Sequence, residues 1–249
     1  MTLAHKEAYE NHDIEIHYDN DGENPRDWVN LGTMICFHSR YILGDEQPRE
    51  TPQDFLFGLS EIDVDYWWEY YEEQGKLSPQ EIDVKIQEKM KKDIWDNYII
   101  LPLNLYDHSG ISMSTSSFVG RAHHAEWDSG QVGWIYVSKD DVKKEYGWKV
   151  LTKKRREQIE KYLAREVSIY DSYLRGDVYG YRIEGDLSND SCWGFYPDGV
   201  GTGYAVCLKE AKGVIDWEVI QKEIADAHEE IEASESAWRK LAQVPIGAC

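Results

Sequence analysis

The chain has 249 residues, 41% of them hydrophobic and 13% aromatic, with 27 basic and 47 acidic side chains and a net charge of −20. That length and apolar content argue against a disordered chain and suffice for one large domain. The charge argues against unspecific binding to nucleic acid. No run of about 18 apolar residues offers a membrane span, and the polar start MTLAHKEAYENHD lacks the apolar centre of a signal peptide, so the expected location is the cytoplasm.

Taken in chain order, residues 13–18 alternate Ile14, Ile16 and Tyr18 against polar neighbours and predict a strand. The acidic turn Asp19-Asn20-Asp21-Gly22-Glu23-Asn24-Pro25 follows, without the spacing of a calcium loop. Residues 31–38, LGTMICFH, predict a second strand, with His38 and Arg40 emerging at its end. Thr51-Pro52 and Ser78-Pro79-Gln80-Glu81 have the form of helix starts, the second with Glu at the capping-box position. The second helix carries the stripe Ile82, Ile86, Met90 and Ile94. DVDYWWEYYEEQG reads as another helix, with more aromatic side chains than one buried face can take.

The centre of the chain, residues 98–138, has the strongest strand pattern: Leu101, Leu103 and Leu105 on one side, then Val132, Trp134 and Tyr136. Its polar segments Asp107-His108-Ser109-Gly110 and Trp127-Asp128-Ser129-Gly130 are built like turns. A pocket is expected there from Asp107, His108, Ser109, Asp128, Ser129 and Gln131, with Trp28, His38, Arg40 and Trp193 nearby. Asp107, His108, His123, His124 and Asp128 are also metal-ligand types and support a runner-up reading, a metal-dependent hydrolase or nuclease. They lack any spacing that fixes two ligands on one face, and no particular metal or cofactor is implied. No Walker motif and no Gly-x-Ser-x-Gly occurs.

Ser138-Lys139-Asp140-Asp141 predicts the cap of a short helix and residues 152–175 a longer one, which opens with the cations of residues 153–156. These would hold an anion or, as the blander reading, pair with the acidic N-terminal region. Residues 178–184 resume a strand, and residues 190–196 form an aromatic loop or strand start. The glycine run at 199–203 leads into strand-like Tyr204-Ala205-Val206. From about residue 216 a last helix carries Ile220, Ile224, Ala227, Ile231, Ser234, Trp238 and Leu241 in alternating steps of four and three, a seam for packing on the core or for a homo-oligomer. The four cysteines, Cys36, Cys192, Cys207 and Cys249, are scattered and indicate neither a zinc site nor a disulfide framework.

Charge is concentrated at the start: residues 1–75 hold 4 basic and 18 acidic side chains. Glu61, Asp63, Asp65, Glu69, Glu72 and Glu73 lie close enough to imitate a phosphate row, although such runs usually only solvate a face. The expected fold is α+β, with an antiparallel or mixed central sheet flanked by helices. The expected division is a core at 1–214 with a helical insertion at about 51–97, then a C-terminal helix at 215–249 on the core or a partner subunit.

The strings NPRDWVNLGTMICFHSRYILGD, LPLNLYDHSGISMST, WDSGQVGWIYVS, YLRGDVYGY and DSCWGFY resemble a family of uncharacterised proteins encoded by bacteriophages and integrated elements. Residues 120–126, GRAHHAE, depart from the family's shorter, Cys-Pro-like approach to WDSGQ, which weakens any catalytic role resting on His123 and His124. The resemblance implies a viral context inside a bacterial cell. The expected function is therefore an accessory binding protein acting in counter-defence, with a host-defence protein or a small nucleotide as partner.

Overall fold

The computed structural model describes residues 2–185, 190–197 and 203–242, with side chains in the last helix as far as Trp238. Gly199, Gly201 and Cys249 lie outside the described residues. The fold is α+β, and its strands form two antiparallel sheets where the sequence predicts one. The chain divides into two compact units: Glu23–Gly176, and the segments that precede and follow it. This division differs from the one expected at residue 214, because an early strand pairs with a late one.

In the unit of the chain ends, β1 (Leu3–Tyr9) and β2 (His12–Tyr18) form a hairpin whose turn residues Glu10 and Asn11 both have positive φ, 46° and 61°. β1 escapes the sequence reading because LAHKEAY has little β propensity, and pairing with β2 holds it extended. The sheet order is β1, β2, β7 (Tyr179–Gly185), β8 (Asp190–Phe195). Ile14 faces Ile183 and Ile16 faces Tyr181, all at most 3% exposed. The first turns of the last helix, α7 (Ala205–Ala242), cover them with Cys207, Ala211 and Ile215. That helix replaces the strand expected at residues 204–206 and begins well before 216. Cys207 and Ala211 stand four residues apart on its inner face, a helical period that a three-residue window cannot display.

In the Glu23–Gly176 unit, the sheet order is β3 (Thr33–Cys36), β6 (Ser129–Ser138), β4 (Tyr98–Asp107), β5 (Ile111–Ser114). Three helices intervene between β3 and β4: α1 (Pro52–Gly58), α2 (Val64–Gln74) and α3 (Pro79–Asn97), capped by Thr51, Asp63 and Ser78. Ser78 and Glu81 form the expected capping box. Ile82, Ile86 and Met90 gather Trp67, Trp68 and Tyr71 into a small core, while Tyr66 and Tyr70 remain exposed. After β5 come the single-turn α4 (Ala125–Asp128), then α5 (Lys139–Tyr146) and α6 (Lys153–Arg175).

α6 lays Ile159, Leu163, Val167 and Tyr170 against Ile99, Leu103, Leu105, Ile135 and Val137 of the sheet. Ile159 and Leu163 are 0% exposed, and burying each stabilises the fold by roughly 1.5–3 kcal/mol. The two arginines at the start of α6 find local partners, where pairing with the acidic N-terminal region was expected. Arg155 donates to the Val150 carbonyl at 2.7 Å and stacks on Trp148. Arg156 bonds Glu160 at 2.9 Å and covers the Trp95 ring. Neighbouring arginines can disperse onto local carbonyls, carboxylates and ring faces, which a count of charges does not reveal.

A buried ionic cluster fixes the entry into β3. Arg26 binds Asp45 twice at 2.7 Å, Glu166 of α6 at 3.1 Å and the Gly32 carbonyl at 2.6 Å. The Glu166 carboxylate also accepts the Leu31 amide at 2.8 Å, and Asp45 accepts the Met34 amide at 2.7 Å. Burial nevertheless holds the Glu166 carboxyl above its ordinary range, against the opposing pull of Arg26 and the amides.

Candidate binding site

Strand register assembles the polar centre. β4 pairs with β6 so that Tyr106 lies opposite Ser129, which sets Asp107 and His108 beside the Asp128 that precedes β6. His108 Nδ1 lies 2.8 Å from the Asp128 carboxylate. The segment Asp107-His108-Ser109-Gly110 is the expected hairpin turn between β4 and β5. Ser109 takes a left-handed φ of 58° and the His108 amide donates to the Gly110 carbonyl at 3.0 Å. The second expected turn is corrected. Trp127 and Asp128 close the helical turn α4, and Ser129 and Gly130 already belong to β6. His124 enters that turn at φ 56°, a conformation in which Asp, Asn and His are the enriched side chains.

The expected pocket residues separate into groups. Asp107 accepts from Arg40 at 2.7 Å and from the Tyr41 hydroxyl at 3.2 Å. His38 stacks on Tyr41 at 5.0 Å, and its Nδ1 accepts the amides of Arg40 and Tyr41. These four residues therefore organise the loop after β3. Ser129 donates to the Ala125 carbonyl at 2.6 Å and Gln131 to the Gly133 carbonyl at 3.2 Å, so both serve their own backbone. Trp28 borders a separate hollow of about 170 Å³ with Pro25, Tyr162 and Arg165. Trp193 belongs to the other unit, on β8, where its indole lies over Gly180.

His108 and Ser109 line an open cleft of about 520 Å³ with Tyr106, Ser112, Phe118, Arg121 and Arg175. Its wall is a ladder of rings: His108 stacks on Tyr106 at 5.8 Å, and Tyr106 on Phe118 at 5.5 Å. Tyr106 is further fixed by its hydroxyl, which donates to the His123 carbonyl at 2.8 Å. Arg121 donates to the Ser117 carbonyl at 3.3 Å and lies 5.7 Å over the Phe118 ring, with no carboxylate partner among the described residues. Arg175, in the last turn of α6, is 3.4 Å from Asp171. Asp171 in turn holds the Ser112 hydroxyl and the Met113 amide at 2.7 Å each, pinning the edge strand β5 beside the helix end. The same arginines and Phe118 border a neighbouring hollow of about 320 Å³ with Ser168 and Thr115.

The sequence reading missed Tyr106, Ser112, Phe118, Arg121 and Arg175. For Tyr106 a signal existed: it alternates with Leu105 on β4 and shares a face with His108. Arg121 and Phe118 sit in an irregular loop with no period, and only tertiary packing brings Arg175 to them.

The histidines do come together. His123 and His124 have centroids 3.8 Å apart, and each lies within 6.4 Å of His108. Yet among the described residues no group of three or more His, Cys, Asp and Glu is placed to hold a metal ion. Burial pushes the Cys36 and Cys207 thiols up to about 12, so these two are poor nucleophiles. A larger cleft of about 640 Å³ is lined by Tyr98, Tyr136, Tyr146 and Tyr162, with Asp141 and Glu145 against the single Lys144. That balance does not suit an anion. No helix among the described residues is long and apolar enough to cross a membrane.

No family model matches the chain, and neither a curated protein nor a solved structure matches it.

Proposed function

We propose that this chain is a phage-type accessory protein of the host bacterial cytoplasm that sequesters a small phosphate-bearing ligand, a nucleotide, in the cleft of Tyr106, His108, Phe118, Arg121 and Arg175. One observation carries this reading: a ladder of three stacked rings and two guanidinium groups border the same open cleft. Rings of this kind take a base on their faces, and guanidinium forks suit phosphate oxygens. Ser112 and Ser109 add hydroxyls at the rim. The likeness to phage and mobile-element strings supplies the setting, counter-defence against a nucleotide signal. The hydrolase reading has less support, since the histidine cluster lacks a metal-holding geometry among the described residues. The acidic-mimic reading keeps one supporting fact: Glu61, Asp63, Asp65, Glu69, Glu72 and Glu73 are all exposed.

The test is to express the protein in bacteria that carry nucleotide-signalling defence systems, purify it and release its contents by heat. Wild-type protein should yield an intact nucleotide, and the double variant Arg121→Ala, Arg175→Ala should yield none, while the two proteins stripped of ligand melt at the same temperature. A protein that instead retains a nucleic-acid-binding partner and loses it as salt rises would favour the mimic.

A further inference from the structure

Among the described residues, no core cluster includes a side chain of the outer half of α7. Its first turns bury Cys207, Ala211 and Ile215, but every side chain from 220 to 238 is exposed. Four residues of this stretch are large and apolar, Ile220 at 51%, Ile224 at 48%, Ile231 at 59% and Trp238 at 71% exposed, and Trp217 just before it is 62% exposed. These outer turns therefore lack the tertiary packing of an apolar face that supplies most helical stability in folded proteins.

With Gly213, Ala227 and Ser234 these residues form a seam at 213, 217, 220, 224, 227, 231, 234 and 238, in alternating steps of four and three. That is the a/d pattern of a helix pair over about 38 Å of helix at 1.5 Å per residue. The sizes along it are not random. Read toward each other from the two ends, the seam sets Gly213 against Trp238, Trp217 against Ser234, Ile220 against Ile231 and Ile224 against Ala227. Three of the four pairs join a large residue to a small one, the combination that fills a helix interface without voids or overlap. Gly213 is exposed, and a β-carbon there would meet nothing within 4 Å, so a flat indole can be accommodated over it. Aligned in parallel, each residue would face itself, crowding two pairs of tryptophans and leaving gaps at Ala227 and Ser234.

We infer that α7 pairs with α7 of a second copy as an antiparallel helix pair about a twofold axis between residues 225 and 226. The inference goes beyond the proposed ligand site and does not depend on it. The flanks oppose the association: Glu223 stands across from Glu230 of the second copy on both sides of the axis, so the dimer should tighten as salt rises.

The experiment is sedimentation over a wide range of concentration. The full chain should move from monomer to dimer, and Ile224→Asp with Ile231→Asp should stay monomeric with the main thermal transition unchanged. Glu223→Lys replaces two like-charge pairs by two opposite ones and should tighten the dimer about tenfold. With Cys192→Ser and Cys249→Ser as background, Trp217→Cys combined with Ser234→Cys should form an intermolecular disulfide, and Ser234→Cys alone should not. A chain that remains monomeric at every concentration overturns the inference. So does a dimer in which Ser234→Cys cross-links to itself, which requires the parallel arrangement.

Discussion

Replacing Arg26 by Met should lower the stability of the protein by about 3–5 kcal/mol at neutral pH, measured by urea or thermal unfolding, because it strands buried carboxylates without their cation. The Arg26 side chain is 3% exposed and Glu166 is 8% exposed. Glu166 comes from α6, 140 residues away in sequence, so the cluster joins that helix to the entry of β3. The loss should shrink as pH falls, since Glu166 can then take up a proton and no longer needs a countercharge. In the wild type the sign is also fixed by Glu166. Its carboxyl is raised in the fold, so its contribution is full below the ordinary glutamate range and declines as pH rises through the raised value. Glu166→Gln should remove that slope.

Gly133→Ala should be comparably disruptive. Gly133 lies on β6 opposite Cys36 of β3, and a β-carbon there would fall inside the van der Waals envelope of the Ile35 carbonyl oxygen. The obstacle is backbone, which cannot move aside as a side-chain end can, so β3 must shift away. Met34, Ile35 and Cys36, each at most 1% exposed, would then lose packing. A cost of about 3 kcal/mol or more follows from the known penalties of overpacking combined with the loss of ladder hydrogen bonds. Hydrogen exchange should show the β3 and β6 amides losing protection first. Gly130→Ala serves as control, since its β-carbon would meet nothing within 4 Å.

What the sequence made legible was local. Thr51, Ser78, Ser138 and Thr152 announce helix starts through their own side chains. Gly75 and Gly176 announce helix ends, since left-handed φ values of 59° and 71° suit glycine. The alternation in β2, β4 and β6 was equally open to reading. The division into two sheets was not, because period-two strands carry no label of their partners, and β2 finds β7 across more than 150 residues. The site was half legible for the same reason. The turn holding His108 and Ser109 is written in four consecutive residues, whereas Phe118, Arg121 and Arg175 reach the cleft only through the packing of a loop and a helix end. Arg26 looked like any cation in an acidic stretch. Its importance lies entirely in three partners that the fold delivers to it.

The most direct measurement for the central claim is calorimetric titration of the purified, ligand-stripped protein with mononucleotides, dinucleotides and cyclic oligonucleotides. At least one of them should bind the wild type. Arg121→Ala with Arg175→Ala should weaken it by about a hundredfold, as expected for losing two charge-assisted contacts, with no change in melting temperature. Binding that the double variant leaves unchanged, or no binding by any member of the set, would contradict the account.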